Sequence, residues 1–165
     1  QMVKGLYGVI EDFPSTPESV LAQNLLNQLE GVQAQVQMIA KSPYKEGPKE
    51  KHRFVLVAPA KGLDMNTVRN AVSDYNVKYH SFENLQVNNI FLDANSQMLM
   101  VINLADKQKA EQYFKGILKD KKIMGYLPQN STTFFVISES NFKTFYTNKV
   151  VEEYMKFFDS VFNTK

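Results

Sequence analysis

A chain of 165 residues, 44% of them hydrophobic and with 12 Phe and 8 Tyr, holds enough apolar material for one core plus a short extra segment, which excludes disorder throughout. Nineteen Lys and Arg against 17 Asp and Glu leave a formal net charge of +2, too weak a field to imply nucleic acid, an anionic bilayer or an acidic substrate. Without cysteine there are no disulfides, thiol nucleophiles or thiolate metal ligands, and no apolar run approaches the roughly 18 residues that cross a bilayer.

In chain order, Val3, Leu6, Tyr7, Val9, Ile10 and Phe13 recur at helical spacing. "FPSTPES" then stops that helix and starts another, with Thr16 as N-cap and Pro17 in the first helical position. The second helix places Val20, Leu21, Leu25 and Leu29 along one side, so residues 1–40 read as a helical hairpin, repeat-like in character. Between 30 and 40, Val32, Ala34, Val36 and Met38 alternate with Gln33, Gln35 and Gln37. Period two suits a strand and the Gln/Ala composition suits a helix, so both stay open. The polar, proline-containing stretch 41–52 reads as a linker that ends in an exposed His52, with a domain boundary near 50.

Beyond the linker the pattern is regular. A strand at 54–58 precedes a helix capped by Asp64, with Gly62 easing the turn and Val68, Ala71, Val72 and Tyr75 on its apolar face. Strands at 85–92 and 97–104 flank the turn residues Asp93 to Ser96, and Met98 and Met100 read as core. A helix capped by Asp106 carries Ala110, Tyr113, Phe114, Ile117 and Leu118, and a fourth strand spans 132–138. The remainder is helical, with Val150, Val151, Tyr154, Phe157, Phe158 and Val161 as a broad apolar stripe. The order β, α, β, β, α, β predicts an α+β domain over 53–165: a ferredoxin-like split βαβ sheet of four antiparallel strands, two helices on one face, and an added C-terminal helix. That last helix is expected to close the sheet's other face or to bridge back to the N-terminal helices.

Chemistry is harder to find. "APAKGLDMN" lacks the spacing of a phosphate-cradling loop, and no GxGxxG is present. His52 and His80 stand without metal-ligand spacing, and His80 reads as a packing or turn residue. Glu152 and Glu153 point in different helical directions, and Ser131, Ser138 and Ser140 lack a nucleophile motif. Of the aromatics that RNA-binding sheets use for base stacking, the third strand has none and the first offers only Phe54. Gly125 and Pro128, in "IMGYLPQN", interrupt regular structure and predict a loop.

The segments "FVLVAPAKGLDMNTVRNAVSDYN", "LQVNNIFLDANSQMLMVINLADKQKAEQYF" and "FFVISESNFKTFYTNKVVEEYMKFF" together resemble the C-terminal domain that follows tetratricopeptide-like helices in envelope lipoproteins of Bacteroidetes, of the gliding-motility and type IX secretion kind. The resemblance covers about residues 53–162, with Phe135, Val136, Ile137, Ser138, Asn141, Phe142 and Phe145 matching its last strand-to-helix passage. It implies a non-enzymatic interaction or assembly module without cofactor or metal, working among other envelope proteins of the periplasm and outer membrane. Any membrane attachment would come through an upstream lipidated segment. No catalytic residue carries over.

The expected partner-binding residues are therefore Gly125, Tyr126 and Pro128 in the loop, with Tyr154 and Phe158 on exposed parts of the terminal helix. The competing readings are a small-ligand or regulatory domain, which a polar pocket would favour, and a hydrolase, which would need a convergent nucleophile and base.

Overall fold

A computed structural model describes residues 2–162. The chain divides into two compact units, Gln1–Ser42 and Pro43–Lys165. The first is a hairpin of α1 (Met2–Asp12) and α2 (Pro17–Lys41). The turn forms as its residue types dictate: Thr16 Oγ1 accepts from the Ser19 amide at 3.2 Å, and Ser15 takes a positive φ of 69° between the helices. Helix α2 continues through the glutamine-rich stretch, because Gln and Ala favour helix and Val32 and Val36 fall four residues apart on one face.

The second unit contains β1 (His52–Pro59), α3 (Met65–Tyr79), β2 (Gln86–Phe91), β3 (Ser96–Leu104), α4 (Lys107–Ile117), α5 (Lys121–Tyr126), β4 (Thr133–Ser138), α6 (Glu139–Asn148) and α7 (Val151–Val161). Its sheet runs β2-β3-β1-β4 with every pair antiparallel, the ferredoxin-like arrangement. The described residues thus hold one helical hairpin and one α+β unit, which overturns the expectation of a tetratricopeptide repeat. A repeat solenoid buries each helical pair against the next pair, whereas here the chain turns from α2 to a sheet.

Register explains the core. Phe54 lies opposite Val101 and Val136, and Leu56 opposite Leu99 and Phe134, so these side chains share the face that meets α4. There Phe54 packs against Tyr113 and Phe114, with centroids 5.5 and 6.2 Å apart. Met98 and Met100 are buried. Gly62 has a φ of 83°, and the Asp64 carboxylate then accepts from the Asn66 amide and the Thr67 hydroxyl, a cap worth about 1 kcal/mol. Asp106 caps α4 in the same way through the Lys109 amide at 2.8 Å.

Three features depart from the sequence reading. Residues 43–51 belong to the second unit instead of linking two domains: Tyr44 is buried edge-on against Tyr154, and the Asn141 side chain bonds both the amide and the carbonyl of Lys45. His52, expected at the surface, is buried at the start of β1, and its ring meets Phe162 edge-on at 5.9 Å. The final helical stretch is broken in two by Lys149, which adopts a left-handed φ of 56°.

That break settles where the aromatic stripe goes. Helix α6 packs Phe145 onto Phe135, on the side of β4 opposite Val136. Helix α7 runs along β4, with Tyr154 against Phe135 and Phe158 against Phe114. The Tyr154 hydroxyl donates to the Val136 carbonyl at 2.7 Å, so α7 covers an edge strand that would otherwise present unpaired backbone.

Candidate functional site

The residues singled out from the sequence separate into two groups. Gly125 and Tyr126 form the last turn of α5, followed by Pro128, and all three are exposed. Gly125 is helical, so the break in structure falls after it, where the buried Leu127 anchors the chain before β4. Tyr154 and Phe158 are 0% and 2% exposed, which removes them as contact residues. The stripe that carries them is spent on β4, α4 and Tyr44.

Exposed apolar side chains lie instead at Val77, Tyr79, Phe82 and Phe91 of the second unit and along the N-terminal hairpin. Met2, Tyr7, Leu21, Leu25, Val32 and Val36 are all more than a third exposed. Met2, Leu6, Leu25, Gln28, Leu29 and Val32 enclose a groove of about 260 Å³ between α1 and α2, with Gln28 its one polar side chain. Helix α2 has 25 residues against 11 in α1, so at about 1.5 Å per residue its C-terminal half extends well past its partner. Val32 and Val36 continue the apolar stripe into that half.

A second concavity lies where α3 ends and β2 begins. It has a volume of about 310 Å³, and its lining includes Asn76, His80, Ser81, Asn84, Leu85 and Val87. Asn76 is 6% exposed; its Oδ1 accepts from the Tyr113 hydroxyl at 2.6 Å, while its Nδ2 meets neither solvent nor a partner. An amide left so costs about 1–3 kcal/mol. Burial also pushes the Tyr113 hydroxyl well above its ordinary pKa, so it stays a donor to Asn76. The His80 ring rests against Tyr113 and Tyr75, and its Nδ1 lies 3.2 Å from Glu83 Oε1 without forming a directed hydrogen bond. The Asn84 carbonyl accepts from Asn103 Nδ2 at 3.4 Å, and both asparagines have positive φ.

Sequence reasoning missed this cleft because its residues come from a helix end, a turn and a strand. One signal was available. Asn76 falls four residues after Val72 and eight after Val68, which puts an amide on the buried face of α3.

Two of the serines read earlier, Ser138 and Ser140, have structural work. Ser140 donates its hydroxyl to both oxygens of Glu50, at 3.0 and 2.7 Å, and its amide to Oε2 at 3.2 Å. Ser138 Oγ accepts from the Asn141 amide, capping α6. The imidazole of His52 is held through Nδ1 to the Glu50 carbonyl at 2.8 Å. Burial lowers its pKa, which favours the neutral ring with Nδ1–H as donor. Among the described residues no three His, Cys, Asp or Glu side chains gather where a metal ion would be held, and no helix is long and apolar enough to cross a membrane.

Fold and surfaces together define an α+β protein: a ferredoxin-like sheet with edge-covering C-terminal helices, accompanied by an apolar helical hairpin. Comparison with known protein families, curated proteins and solved structures finds no match to the chain.

Proposed function

We propose that this chain is a protein-interaction module whose hairpin receives an amphipathic helix from a partner protein. The observation that carries the reading is the groove between α1 and α2 together with the uncovered apolar stripe that continues along α2 to Val36. Leu21, Leu25, Val32 and Val36 recur at spacings that a third helix can pack against ridge into groove. Charge favours protein over lipid. The first unit carries two lysines, Lys4 and Lys41, against Glu11, Asp12, Glu18 and Glu30, a balance that repels an anionic bilayer. The resemblance of residues 53–162 to envelope domains supports partners among other envelope proteins at the periplasmic side.

A photo-crosslinking residue placed at Val32 in cells, with the crosslinked peptide sequenced, tests this reading. The expected product is one protein, joined through a segment with apolar residues at helical spacing and lost in Leu25→Asp. Crosslinks to lipid alone, to a second copy of this chain alone, or scattered over many proteins would overturn it. Both positions are exposed, so an unchanged melting temperature separates lost contact from lost fold.

A further inference from the structure

We infer that the cleft between the end of α3 and β2 binds a small uncharged molecule bearing hydroxyl or amide groups, of about monosaccharide size. This site is independent of the hairpin groove and does not rest on the partner-helix reading.

Three observations converge on it. First, the floor of the cleft holds Asn76, whose Nδ2 is a buried donor without an acceptor, while its Oδ1 is already engaged by Tyr113. Packing alone has no use for that donor, since an apolar side chain of the same size would fill the space without the penalty of an unmade hydrogen bond. An oxygen of a bound molecule supplies the missing acceptor after a small turn of the amide. Second, the lining is amphipathic. Ser81, Asn84 and His80 offer donors and acceptors, while Leu85 and Val87 offer an apolar wall. That combination suits a molecule with a hydroxylated edge and a C–H face.

Third, charge and size narrow the class. No Lys or Arg lines the cleft, and the ionisable group beside His80 is the Glu83 carboxylate, so an anion would enter without a fixed counter-charge. A volume of about 310 Å³ lies at the small end of ligand sites, which run from roughly 300 to 1,000 Å³, and leaves no room for a dinucleotide. The positive φ of Asn84 and of Asn103, joined by a hydrogen bond at the cleft's rim, fixes the turn that shapes the opening.

The test is a titration of the isotope-labelled chain with glucose, N-acetylglucosamine and myo-inositol, with inorganic phosphate as the charged comparison, observed by nuclear magnetic resonance. The expected result is saturable binding of at least one neutral probe, with shifts confined to the Asn76 side-chain amide, His80 and Asn84, and no saturation by phosphate. Ser81→Tyr, a substitution at an exposed rim position, closes the opening and should weaken that binding at least about tenfold, or 1.4 kcal/mol, with the melting temperature unchanged. Asn76→Leu should abolish the binding and leave the chain folded. Should that variant unfold, the Ser81→Tyr result decides the matter. Failure of all three neutral probes to saturate, saturation by phosphate alone, or undiminished binding in Ser81→Tyr would overturn the proposal.

Discussion

Tyr154 reaches from α7 to the carbonyl of Val136 in β4, a 2.7 Å hydrogen bond made inside the protein by a residue that is itself fully buried. It joins the final helix to the edge of the sheet through one directed contact, within a cluster where Tyr154 also packs on Tyr44, Phe135 and Phe157. Tyr154→Phe keeps the ring and orphans the carbonyl. The expected cost is about 1–2 kcal/mol, seen as a lower urea midpoint at unchanged slope.

The same burial makes stability sensitive to alkali. Removal from water pushes Tyr44 up to about 12, with Glu153 adding to the rise, and raises Tyr154 well above the ordinary value. The protonated phenol is therefore the folded form of both. Above pH about 10 the unfolded chain releases protons that the native state retains, so stability is intact below that pH and falls as pH rises through the folded values. Tyrosinate absorbance should rise together with loss of the circular-dichroism signal, and Tyr44→Phe should move the transition to higher pH. Separate ionisation in a still-folded chain would contradict this.

On the acid side the group to watch is His52. Burial lowers its pKa beneath the ordinary 6.5, so the unfolded chain takes up a proton that the folded chain resists. Its contribution is present above pH 6.5 and is lost as pH falls through the folded value. His52→Gln should flatten the decline of melting temperature over that window while lowering the plateau, because the contact with Phe162 is weakened.

Glu50 acts lower on the pH scale. The Ser140 hydroxyl holds its carboxylate below the ordinary carboxyl pKa, so the cap on α6 is fully present above pH 4.5 and weakens as pH falls through the folded value. Hydrogen exchange at the Ser140 amide, which Glu50 accepts, should accelerate in Glu50→Ala at neutral pH. Exchange at the Asn141 amide, which bonds Ser138, should change less.

Arg53 offers a test of paired charge. It grips Glu139 with two 2.8 Å bonds and lies 4.0 Å over the Phe142 ring, half-buried on β1. Lysine cannot reproduce the planar fork, so Arg53→Lys should cost about 1 kcal/mol. In a cycle with Glu139→Gln, a coupling of about 0.5–1 kcal/mol is expected, falling with added salt. Coupling near zero would assign the residue to packing alone.

Much of the second unit could be read from spacing. Asp64 and Asp106 announce their helices, Val68 and Val72 their buried face, and the alternation across 97–104 its strand, because each signal is local and recurs at the period of its element. The rest was decided by local conformation that the residue types did not mark, or by contacts between distant segments. Val32, Ala34, Val36 and Met38 carry a two-residue period that helix propensity overrides. Lys149 adopts the left-handed conformation without the glycine that would have marked it. The stripe through Tyr154 and Phe158 was visible, but whether it faced a partner or β4 depended on that unmarked turn. The cleft was hidden for the same reason, since nothing near Asn76 in sequence places Leu85 and Val87 across from it.

The central position of β1 has a consequence for synthesis. Val55 pairs with Met100 on one side and Phe135 on the other, so this central strand leaves the ribosome before either neighbour exists. Until residues 96–104 emerge "FVLVA" has no place in any ladder, and its other side stays unpaired until 133–138 follow. The nascent strand therefore depends on transient shelter in that interval, and completion of the sheet is governed by the arrival of β4.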